Sequence, residues 1–202
     1  MKPIELNSMK HFFIENLRKY GQISENTEKL LLPHIKHCIK PKGSHLLKKG
    51  QIDGGLYILD EGILRFYYIY NDKEVTTWFC KENMVAFSSS FFFRIPSFEY
   101  IQLLEDSSIY YISGNTLDKL YKMNEELNTI GRKMSEEYCM EFEERVASLQ
   151  TQTALERYEK LMNESPDIFQ RVPLGQIASY LAVSQETLSR IRRKFVTNET
   201  SE

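Results

Sequence analysis

The chain has 202 residues, a formal net charge of −2 and 42% hydrophobic residues, enough to fill one large core or two small ones. It has no run of about eighteen apolar residues, and its start, MKPIELNSMKHFF, lacks a signal-peptide core, so a soluble, cytoplasmic protein that does not use the membrane is expected. The scattered cysteines Cys38, Cys80 and Cys139 exclude a CxxC metal knuckle and a disulfide framework; three buried thiols are the expectation.

The first forty residues read as helical, with Phe12, Phe13, Leu17 and Tyr20 in one stripe and Leu30, Leu31 and Ile35 in another. His34 and His37, three apart on that stretch, are either a metal-sharing pair or, more simply, ordinary surface side chains; His11 and His45 stand alone. From Gly43 to about Ile112 the texture changes to short runs rich in β-branched and aromatic residues. Turn signals separate them at Lys49-Gly50, Asp53-Gly54-Gly55, Glu61-Gly62 and Asn71-Asp72. Strands are predicted at 56–59, 63–70, 75–80, 100–104 and 109–112. Short strands at such intervals indicate a small antiparallel barrel or roll.

After Ser113-Gly114 the pattern is helical again. Asn115 or Thr116 is the expected cap of a short helix ending near Met123. A longer helix follows over 125–149, with Leu127, Ile130, Met134, Tyr138, Phe142, Val146 and Leu149 at the α period. That stripe can pack on the roll, on a second copy, or on both, and Gly131 beside it permits close approach. The acidic residues Glu136, Glu137, Glu141, Glu143 and Glu144 read as the solvated face of this helix. Gln150-Thr151-Gln152-Thr153 is a polar break, so a domain boundary is expected near residue 150.

The stretch VPLGQIASYLAVSQETLSRIRRKF at 172–195 carries the most information. Ile177, Ala178 and Leu181 share one face of a first helix, Ala182-Val183-Ser184 connects, and Ser184 caps a second helix that begins at Gln185. Leu188, Ile191 and Phe195 form the buried stripe of the second helix. This leaves Gln185, Glu186, Thr187, Ser189, Arg190, Arg192 and Arg193 for base edges and phosphates. Small Ala178 and Ala182 fit a close helix crossing. Residues 168–196 contain Arg171, Arg190, Arg192, Arg193 and Lys194 against the single acid Glu186, a local charge of +4 in a chain of −2. These features favour a helix-turn-helix that reads DNA over an ordinary helical hairpin.

Taken in order, roll, long helix, hinge and helix-turn-helix, the chain resembles the Crp/Fnr family of bacterial transcription regulators. The residues that carry the resemblance are Gly43, Gly50, GGLYILDEGILRFYY at 54–68, PSFEYIQLLEDSSIYYIS at 96–113, ERY at 156–158 and IASYLAVSQETLSRIRRKF at 177–195. The resemblance implies an α+β protein: an antiparallel β-roll of the cyclic-nucleotide-binding type (a double-stranded β-helix) with flanking helices, a dimerisation helix, and a winged helix-turn-helix. The division would be 1–124 for the sensory roll, 125–150 for the dimerisation helix and 151–202 for DNA binding. It further implies a homodimer on an inverted-repeat duplex, with RNA polymerase as a further partner. Gln185, Glu186 and Arg190 would face bases; Ser184, Ser189, Arg192 and Arg193 would meet or steer phosphates. Leu127, Ile130, Met134, Tyr138 and Phe142 would line the dimer seam.

One region departs from that pattern. Cyclic-nucleotide binders of the family carry a Glu for the ribose and an Arg for the cyclic phosphate, and the corresponding stretch here is MVAFSSSFFFRIPSFEYI. Phe87 stands near the Glu position and Ser97 near the Arg position. A buried phosphate without its guanidinium partner is unfavourable, so no cAMP binding is expected. The remaining candidates for a small effector are Ser88, Ser89 and Ser90 at the mouth of a short helix, Arg94 beside them, and Phe91, Phe92 and Phe93, which either line a cavity or simply fill the core. Three separated cysteines cannot supply the four thiolates of an iron–sulfur cluster, and no cofactor is expected. A cupin-type enzyme would need a His-rich strand cluster, whereas all the histidines precede residue 46 and no HxH occurs. A ligand-binding roll without DNA readout is the other alternative.

Overall fold

A computed structural model describes the backbone of residues 3–52 and 54–199, and the side chains of residues 11–52 and 54–194. The elements run α1 (Pro3–Arg18), α2 (Glu25–Leu31), a 3-10 turn (Leu32–His34), β1 (Lys36–Lys40), β2 (His45–Leu47), β3 (Gly55–Glu61), β4 (Leu64–Tyr70), β5 (Lys73–Cys80), β6 (Val85–Ala86), α3 (Ser89–Phe93), β7 (Tyr100–Leu103) and β8 (Ser107–Ser113). There follow α4 (Gly114–Met123), α5 (Glu125–Thr151), α6 (Ala154–Glu164), α7 (Ile168–Arg171), α8 (Leu174–Tyr180) and α9 (Gln185–Glu199). The class is α+β. No described helix is long and apolar enough to cross a membrane.

The strands form two 4-stranded sheets, ordered β1-β8-β3-β6 and β2-β7-β4-β5. In the first, β3 pairs antiparallel with β8 (Leu56 opposite Ile112, Ile58 opposite Tyr110), and β8 pairs antiparallel with β1. Central β3 is buried over Gly55–Leu59, which is why GLYIL reads as a continuous apolar run rather than an alternation.

The first forty residues are not helical throughout. Pro33 closes the helical turn, and Lys36–Lys40 becomes β1 because β8 offers it a ladder. His34 and His37 therefore do not share a helix. The His37 ring lies 4.6 Å from that of Tyr110, and its Nε2 is 2.9 Å from the Ser108 hydroxyl, which donates to Asp60. Ser113, rather than Asn115 or Thr116, caps α4, its hydroxyl accepting from the Thr116 amide. Asn124 plays that part for α5: Oδ1 accepts from the Leu127 amide at 2.9 Å and Nδ2 donates to the Thr27 hydroxyl at 2.8 Å. Of the cysteines only Cys80 is buried; Cys38 is half-buried and Cys139 is exposed on α5.

The chain divides into two compact units, and the division falls inside α5. The first takes the described parts of residues 1–66 and 79–138. Its core joins Phe13, Ile14 and Leu17 of α1, Leu56 and Ile58 of β3, Tyr110 and Ile112 of β8, and Leu127, Ile130 and Met134 of α5. Each such side chain stabilises the fold by about 1.5–3 kcal/mol on full burial. The second unit takes residues 67–78 and the described parts of 139–202. Its segment 67–78 is a hairpin end closed by Asn71 and Asp72 at φ 47° and 58°, the two-residue turn that asparagine and aspartate tolerate. The described residues 151–199 hold four helices and no strand, so the expected wing has no strand pair among them.

Gly62, the glycine after Glu61 in GGLYILDEG, has φ +108°, and a Cβ there would lie 2.1 Å from the Ser107 hydroxyl. Gly62→Ala is expected to destabilise the chain by about 2 kcal/mol or more, seen as a lower urea midpoint at unchanged slope.

Candidate nucleic-acid interface

Why α8 stops where it does follows from its last backbone groups. Ala182 is left-handed at φ 53°, its amide donates to Ser179 O at 3.1 Å, and the Val183 amide donates to Ala178 O at 3.0 Å. This is the Schellman ending, in which the left-handed position is usually glycine. Ala182 is thus exposed at the turn rather than packed in the helix crossing, where Ala178 alone is buried. The next two carbonyls, Tyr180 O and Leu181 O, accept from Arg145 and Arg157. A cation at a helix carboxy end also meets the negative pole of the helix dipole.

The chain then enters α9 through Ser184, whose hydroxyl accepts from the Thr187 amide at 3.2 Å and donates to the Thr187 hydroxyl. Ser184 is therefore engaged as a cap. Leu188 is fully buried and Ile191 half-buried; the Phe195 side chain lies outside the described residues. Opposite them, steps of three and four bring Gln185, Glu186, Ser189, Arg190 and Arg193 within one half of the helix circumference, with Arg192 at its edge. Gln185, Glu186, Arg190, Arg192 and Arg193 are exposed, whereas Thr187 and Ser189 are half-buried. Arg190 donates to the Thr187 hydroxyl at 3.2 Å, which steadies its stem without using up its guanidinium. The Glu186 backbone amide and the Ser184 hydroxyl hold the Glu186 carboxyl below the usual carboxylate range, so at neutral pH it is an acceptor. The face can donate to guanine O6 and N7 and accept from cytosine N4.

The ERY triplet acquires three distinct roles, which its pattern alone did not disclose. Glu156 closes a capping box with Thr153 at the start of α6. Arg157 donates from Nε to Leu181 O at 3.1 Å and from Nη1 to Gln152 O at 2.5 Å, joining α8 to the end of α5. Tyr158 is buried with its ring 5.1 Å from that of Phe169.

The candidate effector residues, all in the first unit, are largely committed to one another. Phe87 lies within ring contact of Phe91, Phe92 and Tyr138, at centroid distances of 6.0, 4.9 and 5.2 Å. Three consecutive helical residues point about 100° apart, so Phe91 is buried while Phe92 and Phe93 are exposed; they do not jointly line a cavity. Ser88 and Ser90 are buried and Ser89 half-buried, and the Ser90 hydroxyl donates to Ile95 O. Arg94, left-handed at φ 53°, pairs with Asp118 at 2.9 Å and lies 5.0 Å from the Phe91 ring centre. Ser97 is buried in a turn, its hydroxyl donating to Glu99 O and accepting from Glu99 N. On α5, Leu127, Ile130 and Met134 face their own core and Tyr138 is half-buried, whereas Phe142, Val146 and Leu149 are exposed.

The turn provides a test of this local geometry. Left-handed backbone is unfavourable for alanine, so Ala182→Gly should raise stability by about 0.5–1 kcal/mol, measured as a higher thermal midpoint.

No protein-family model and no curated protein matches the sequence. Solved structures do. FixK2 from Bradyrhizobium japonicum has a TM-score of 0.69 at 16% identity over 82% of this chain and 86% of its own. The c-di-GMP responsive global regulator CLP of Xanthomonas campestris gives 0.66 at 16% identity, over 87% and 93%. A chain from Eubacterium rectale assigned to the crp/fnr family of transcriptional regulators gives 0.68 at 16% identity, over 87% and 85%. The chain therefore has the fold of the Crp/Fnr regulators.

Proposed function

We propose that this protein is a dimeric, sequence-specific DNA-binding transcription regulator of the Crp/Fnr type, not an enzyme, acting in the cytoplasm. It reads an inverted-repeat operator through α9. The observation that carries the reading is the exposed polar face of α9, where Gln185, Glu186 and Arg190 follow a turn closed by its own amides and the Ser184 cap. Arg190 contacts guanine bidentately, Glu186 and Gln185 read neighbouring bases, and Arg192 and Arg193 contact phosphates. In this reading residues 1–124 form the sensory roll, 125–150 the dimerisation helix and 151–202 the DNA-binding domain. The apolar face of α5 still open to a partner copy is Phe142, Val146 and Leu149, so the seam centres on the carboxy half of the helix. RNA polymerase is the downstream partner of such a regulator.

The roll is not a cAMP receptor in this reading. Phe87 sits in an aromatic cluster, Ser97 closes a turn, and the nearby cation, Arg94, is already paired with Asp118. A cyclic phosphate would have to compete for that guanidinium.

The direct test is to recover genomic fragments bound by the ligand-free protein, with Arg190→Ala in parallel. An enriched inverted repeat with half-sites about one helical turn apart is expected, and Arg190→Ala should lose about 1–3 kcal/mol at that site. No enrichment with either protein would favour the alternative of a ligand-binding roll without DNA readout. Titration calorimetry with cAMP should give no measurable heat; a dissociation constant in the low micromolar range would refute the assignment of the roll.

A further inference from the structure

We infer that Arg145 and Ser179 are positioning residues for the DNA-reading helix, acting through the carboxy end of α8. The inference rests on the DNA-reading role proposed for α9. The last residues of α8 and its cap, Ser179, Tyr180 and Leu181, are each held by a different element of the second unit. The Ser179 hydroxyl accepts from the Thr76 amide at 2.9 Å and donates to Glu74 O at 3.1 Å. It therefore engages the main chain of β5, the last strand in its sheet order, much as a neighbouring strand would. Arg145 of α5 donates to Tyr180 O, with its guanidinium carbon 4.1 Å from the centre of the Tyr180 ring. Arg157 of α6 holds Leu181 O.

Water can satisfy the last carbonyls of a helix, so folding of α8 does not itself require these side chains. What they add is direction. Three anchors from β5, α5 and α6 oppose rotation and tilt of α8 at its carboxy end. The three-residue turn that follows is itself closed by the Ala182 and Val183 amides, so the angle of α8 is passed to α9. None of the anchors covers Gln185, Glu186, Arg190, Arg192 or Arg193, all of which stay exposed. The contacts orient the reading face and do not mask it, so loosening them weakens site-specific binding.

The test is fluorescence anisotropy of the full chain on its selected duplex and on a scrambled duplex of equal length. Wild type, Arg145→Ala, Ser179→Ala, Ser179→Thr and Arg190→Ala are compared, with circular dichroism and thermal midpoints for each. Arg145→Ala and Ser179→Ala should each bind the selected duplex roughly tenfold more weakly, the scale of one misread base pair. Affinity for the scrambled duplex and its salt slope should not change, because the phosphate contacts are intact. Ser179→Thr, which keeps the hydroxyl, should behave as wild type. If Arg145→Ala unfolds, Ser179→Ala with its threonine rescue decides. Folded variants with undiminished discrimination, or with tighter binding to the selected duplex, would overturn the positioning role. If wild type does not discriminate between duplexes and Arg190→Ala matches it, the DNA reading fails first and the inference with it.

Discussion

A short helix leaves its final carbonyl oxygens without partners, and in α8 that problem is solved in a way on which the presentation of α9 depends. Ala178 O and Ser179 O are taken by amides of the following turn, and Tyr180 O and Leu181 O by two arginines from other helices. The first pair creates the reversal that sends the chain into α9; the second ties the reversal to α5 and α6. Local backbone chemistry and packing of the second unit thus converge on a single turn. Leu188, buried beyond it, holds α9 by its apolar side, so the polar side faces outward.

The long helix divides its work along its length. Leu127, Ile130 and Met134 belong to the same core as α1 and β3, and Asn124 ties its first turn to Thr27. Beyond Tyr138 the apolar positions change from buried to exposed. One stripe of constant period therefore serves two environments. The aromatic cluster of Phe87, Phe91 and Phe92 meets Tyr138 where the change occurs.

Elements with strong local signals were legible in the sequence. β3, β4 and β5 carry apolar runs bounded by Gly54-Gly55, Gly62 and Asn71-Asp72, and α8 and α9 carry their stripe and their Ser184 cap. β1 and β6 were not. KHCIK has a single aliphatic residue, Ile39, which is itself exposed, and β6 is two residues long, so both owe their strand state to partners distant in the chain. The α9 face could be read because its exposed polar side chains stand at fixed helical intervals. The anchors on α8 could not, because Arg145, Arg157 and Ser179 act through main-chain carbonyls and amides, which leave no residue pattern. Arg94 was misleading for a related reason: its partner Asp118 lies on another element, and only the fold brings the pair together.

The unequal exposure of the thiols has a practical consequence. Cys80 is buried, and burial pushes the half-buried Cys38 thiol above its usual range, which lowers its thiolate fraction at neutral pH. Cys139 is exposed on α5, immediately after the point where that helix leaves the first unit. A maleimide dye or nitroxide should therefore label the wild-type chain selectively on its long helix. The protein thus carries a built-in spectroscopic handle on its long helix, at the first α5 residue of the second unit.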